Sequence, residues 1–95
     1  MASASITSLD KIKNYLKNNG FKIIHYKYEE FEKNYYHKGI YNELEVIKLK
    51  DDTKITIKWC QEKSQAKRIL IINDKEYKGI GQPYQIIRIL EEEYL

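Results

Sequence analysis

One cysteine, one proline, four glycines and only two arginines occur in this 95-residue chain, and each scarcity removes something. With Cys60 alone, no internal disulfide is possible and nothing points to an oxidising compartment. Beside Trp59 at a strand end, Cys60 reads as a small buried thiol rather than a nucleophile. The few glycines and the lone proline form no phosphate loop and no low-complexity linker, so one domain is expected over residues 6–95, after a flexible leader at 1–5. No apolar run approaches the ~18 residues of a membrane helix. Met1-Ala2-Ser3-Ala4-Ser5 lacks the basic and apolar regions of a signal peptide, so the expectation is a cytoplasmic chain away from membranes. His25, His37 and Cys60 show no paired ligand spacing, and neither a metal nor a cofactor is expected.

What is present is a soluble globular composition, 42% apolar and 33% charged, with nine tyrosines. Ile, Lys, Asn, Tyr and Phe make up 47 of the 95 residues, which implies an AT-rich coding sequence. The organising stretch runs from Lys54 to Ile80. Ile55, Ile57 and Trp59 alternate with Lys54, Thr56 and Lys58, the period of a half-buried strand. Arg68-Ile69-Leu70-Ile71-Ile72 is apolar on both faces, as a central strand is. Asn73-Asp74-Lys75 turns the chain into a further strand, Glu76 to Ile80.

Upstream, Leu9, Ile12, Tyr15 and Leu16 give Ile6 to Asn19 an apolar helical stripe. Thr7 or Ser8 is its expected N-cap, with Asp10 completing a capping box. Gly20 is placed to end the helix in the left-handed conformation. Phe21 to Tyr28 reads as the first strand, with Phe21, Ile23 and His25 on one face and Ile24, Tyr26 and Tyr28 on the other. Glu29 to Asn42 reads as a connection holding a short helical piece, Phe31 and Tyr35 pairing at i,i+4, ended by a turn at Tyr36 to Gly39. Asn42 to Lys50 is the second strand. Pro83 suits the first position of a closing helix that docks Ile86, Ile87, Leu90 and Tyr94. Glu91, Glu92 and Glu93 lie where the helix dipole disfavours negative charge, so that end should fray or find a cation. The fold class is therefore α+β: a mainly antiparallel five-stranded meander with an N-terminal and a C-terminal helix packed on one face. The core is expected at Ile55, Ile57, Trp59, Leu70 and Ile72 with Leu9, Ile12, Leu16, Ile86 and Leu90.

No catalytic constellation stands out, so surfaces carry the functional reading. Tyr35, Tyr36 and Tyr41, with Glu29 and Glu30 nearby, suit a protein partner or self-association, since tyrosine buries area and keeps a polar tip. The favoured expectation is a small non-enzymatic binding module, a viral or mobile-element accessory protein that inhibits another protein, as host-defence inhibitors do. The alternative is nucleic-acid binding by a basic sheet carrying Lys54, Lys58 and Lys67, with Tyr26 and Tyr28 beneath bases. Against it stands a net charge of only +3. A third reading is a small toxin-like ribonuclease centred on His37, beside Tyr36 and Lys38.

The order helix, strands, helix resembles the double-stranded-RNA-binding domain. That family's last helix opens on lysines that grip phosphate, whereas this chain has Gly81-Gln82-Pro83-Tyr84-Gln85. The opening helix running through glycine into a strand resembles the HicA type of toxin ribonuclease. Its Gly-Ser-His after the strand is replaced here by Tyr26-Lys27-Tyr28.

Overall fold

The computed structural model describes residues 9–34, 37–62 and 67–95, side chains of residues 33, 34, 37, 38 and 67 excepted. They form α1 (Asp10–Lys17), β1 (Phe21–Asn34), β2 (His37–Lys48), β3 (Lys54–Glu62), β4 (Lys67–Ile72), β5 (Lys75–Tyr77) and α2 (Pro83–Glu93). The strands make one antiparallel sheet in the order β1-β2-β3-β4-β5, the expected meander. Both helices pack on one face. Every residue expected in the core is buried there, joined by Phe21, Ile40, Leu44 and Val46.

α1 is shorter than the periodicity predicted. Its N-cap position falls on Leu9 and carries no side-chain cap; Thr7 and Ser8 lie outside the described residues. The Leu9 N–H itself donates to Asn42 Oδ1 at 3.3 Å in the core, tying the helix start to the sheet. Asn42 is the one buried polar residue among the described residues. Gly20 follows the helix at φ +86°, the left-handed link that lets β1 fold back beneath it.

β1 departs from expectation twice. A bulge between Ile23 and His25 leaves Ile24 unpaired and 41% exposed. Beyond it the phase reverses, so Tyr26 joins Phe21 and Ile23 on the helix-covered side while His25 turns away with Lys27. The expected helical piece at 29–42 is absent. Glu29, Glu30 and Phe31 continue β1 opposite Tyr41, Ile40 and Gly39 of β2. Two helical turns on their own are marginal, whereas pairing satisfies the β1 backbone groups that face β2. Gly39 is therefore a strand residue and not a turn. A Cβ there would collide with the Gln61 carbonyl and with the Phe31 ring lying over it.

The remaining boundaries follow the chemistry read from sequence. Asn73 and Asp74 adopt φ +49° and +69°, the two-residue hairpin geometry, and Asn73 Oδ1 accepts from Thr56 N–H at 2.9 Å. β5 is shorter than predicted and stops at Tyr77. α2 starts at Pro83 with a capping box between Gln82 and Gln85. Its acidic end finds partners: Lys75 Nζ lies 3.1 Å from Glu93, Arg88 pairs with Glu92, and Tyr15 donates to Glu91. No helix among the described residues is long and apolar enough to cross a membrane.

Candidate functional site

Directly opposed residues of antiparallel strands point to the same side, so register alone assigns the second face of the sheet. One cross-strand row reads Lys27, Glu43, Lys58, Ile71, Glu76. The next row toward the β1–β2 turn reads Glu29, Tyr41, Cys60, Ile69. On the other side lie His25, Glu45 and Thr56, then Ile47 beside Lys54. No helix covers this face among the described residues. Its centre is a half-buried strip of Tyr41, Cys60, Ile69 and Ile71.

Glu43 organises the polar part. Tyr41 Oη donates to its Oε1 at 2.6 Å, and His25 Nε2 lies 3.3 Å from its Oε2. These bonds hold the Glu43 carboxyl below its ordinary range, the Tyr41 bond contributing most. Burial, with the Glu43 hydrogen bond second, pushes the Tyr41 phenol up to about 12. Lys54 pairs with Glu45 at 3.5 Å and Lys27 with Glu29 at 3.2 Å. His25, Glu43, Glu45, Thr56 and Lys58 enclose a polar hollow of about 250 Å³. With both Glu43 oxygens already engaged, the cluster offers fixed hydrogen-bonding partners to whatever covers it.

The structure sorts the expected site residues unevenly. Tyr41 and Glu29 meet as a cross-strand pair, but Glu30 is on the helix-bearing side, accepting from Tyr28 at 3.0 Å. Tyr35 and Tyr36 lie outside the described residues. Lys54 and Lys58 share the helix-free face, and Lys67 begins β4 opposite Glu62. Tyr26 and Tyr28 are on the opposite side, so the expected basic, tyrosine-bearing surface is not assembled. The bulge at Ile24 causes this: beyond it Tyr26 opposes Leu44 and Tyr28 opposes Asn42, both with side chains in the core. Cys60 is not in the core as expected but half-buried on the helix-free face, opposite Tyr41 and Ile69. His37 begins β2 opposite Asn34. Among the described residues, no group of three His, Cys, Asp or Glu is placed to hold a metal.

Sequence reasoning missed the His25–Glu43–Tyr41 network. Tyr41 and Glu43 were legible as i,i+2 strand neighbours, but His25 reaches them only through the bulge, which has no glycine or other local signal. No protein-family model, curated protein or solved structure matches the chain.

Proposed function

We propose that this protein is a non-enzymatic binding module whose helix-free sheet face occupies another protein. The observation that carries the reading is the composition of that face: a half-buried Tyr41, Cys60, Ile69 and Ile71 strip bordered by charges of both signs. An apolar, aromatic centre inside a polar rim is the anatomy of a protein interface. Lysine alternating with glutamate across the strands gives a polyanion little to hold, because each phosphate contact needs an uncompensated cation. Acting by occupancy, such a module inhibits its target without chemistry of its own.

The test is to purify the tagged chain from cells of its source, wild type beside Tyr41→Arg, and to titrate both with labelled single- and double-stranded DNA and RNA. A stoichiometric protein partner lost on Tyr41→Arg and retained in moderate salt supports the reading. Submicromolar nucleic-acid binding near physiological salt, abolished by Lys54→Glu with Lys58→Glu, overturns it.

A further inference from the structure

A second surface, independent of the sheet face, lies where α1 overhangs the start of β1. A groove of about 620 Å³ opens there, within the range of roughly 300–1,000 Å³ usual for small-molecule sites. Phe21, Ile23 and Tyr26 form its floor, and Leu49, 64% exposed at the β2–β3 turn, stands at one wall. Local structure explains the apolar floor: the bulge at Ile24 brings Tyr26 to the same side as Phe21 and Ile23. Leu49 is held against it by its N–H donating to the Gly20 carbonyl at 2.9 Å.

The rim has one sign. Lys13 and Lys17, four apart on α1, share a flank and line the groove; Lys22 borders it too but opposes Ile47, on the helix-free side by register, and no acidic side chain among the described residues lines it. Lys13 is engaged already, 3.5 Å from Asp10 and 4.6 Å from the centre of the Tyr26 ring. Lys17 is exposed and forms no ion pair among the described residues. Its uncompensated ammonium above an apolar trough complements one negative charge on an apolar body. One such cation is too few for a nucleic-acid backbone. An added peptide strand is disfavoured, because the bulge interrupts the regular edge of β1 just after Ile23.

We infer that this groove binds a single-chain amphipathic anion of the fatty-acid class, its alkyl chain along Phe21, Ile23 and Tyr26 and its carboxylate at Lys17. The experiment is calorimetric titration of the full chain with dodecanoate below its aggregation concentration, beside dodecanol and dodecyltrimethylammonium. One saturable site per chain is expected for dodecanoate, with dodecanol about fivefold weaker, the worth of one surface ion pair near the upper end of its range. Lys17→Glu should lose the same factor while keeping the wild-type circular dichroism, since the side chain is exposed. Leu49→Asn should weaken dodecanoate and dodecanol alike. Equal binding of the anionic and cationic amphiphiles, an unchanged Lys17→Glu variant, or no saturable site overturns the inference. Binding to phosphatidylglycerol vesicles without binding of monomeric dodecanoate also overturns it and assigns the lysines to a membrane surface.

Discussion

Truncating Leu70 and Ile71 to alanine, one at a time, is expected to separate stability from recognition. The two are adjacent on β4 but face opposite ways: Leu70 opposes Trp59 and Tyr77 in the core, while Ile71 opposes Lys58 and Glu76 on the helix-free face. Leu70 is 0% exposed. Leu70→Ala removes the equivalent of three buried methylenes, about 2.4 kcal/mol of transfer free energy at ~0.8 kcal/mol each. The hole left beneath the helices adds about 1.5–2 kcal/mol at roughly 24 cal/mol per Å³ of cavity. The sum, about 4 kcal/mol, corresponds to a melting temperature lower by about 15–30 °C for a domain of this size. Ile71 is half-buried and its truncation opens onto solvent, so no cavity term applies. Ile71→Ala should cost about 1–1.5 kcal/mol, a fraction of the same transfer term. Its partner affinity, in contrast, should fall more than about fivefold, as when an interface anchor is truncated. Urea or thermal melts of both variants decide. Equal losses of stability, or a larger loss for Ile71→Ala, would refute the assignment of faces.

Three further outcomes follow from named contacts. Gly39→Ala should destabilise by about 1–3 kcal/mol, because the new methyl meets Gln61 and Phe31, and Gly39→Ala with Phe31→Ala should recover part of that in a double-mutant cycle. Asn42→Ala should cost about 1–3 kcal/mol by stripping the acceptor from the buried Leu9 N–H; Asn42→Leu, which like alanine deletes the Nδ2 donor that has no partner, should cost less because it fills the space that alanine leaves empty. The Tyr41 phenol, raised in the fold to about 12 from its ordinary 10, favours folding in full below pH 10 and loses that contribution as pH rises through about 12. Denaturation midpoints across that window should fall in wild type more than in Tyr41→Phe. The same bond lowers Glu43, whose contribution is present above the ordinary carboxylate range and is lost as pH falls through its depressed value.

The layer architecture was legible because its signals are local and periodic. Ile55, Ile57 and Trp59 at period two, Leu9, Ile12 and Leu16 at helical spacing, and Asn73-Asp74 at the turn each specify one geometry. The stretch from Glu29 to Asn42 was not, because Phe31 and Tyr35 satisfy a helical spacing as well as a strand. What decides it is a long-range fact: Phe31 covers Gly39 across the hairpin, and Glu29 opposes Tyr41. The bond that ties the helix start to the sheet, Leu9 N–H to Asn42 Oδ1, was not legible for a related reason: its partners are 33 residues apart. The site was half legible: Tyr41 and Glu29 were named, but the facing of His25 turns on one unpaired residue, Ile24. The apolar character of both faces of β4 was read as the mark of a central strand, and Ile69 and Ile71 are its residues on the helix-free face.

The central claim, that the helix-free face is where a protein partner sits, is tested most directly by site-specific photo-crosslinking. A photoreactive phenylalanine analogue placed at Tyr41, at Ile69 and, as the contrast, at the exposed Arg88 of α2 reads out both faces of the molecule in the source cells. The account predicts one discrete crosslinked protein species from Tyr41 and Ile69 and none from Arg88. Crosslinks only from Arg88, or to nucleic acid from the sheet positions, would contradict it.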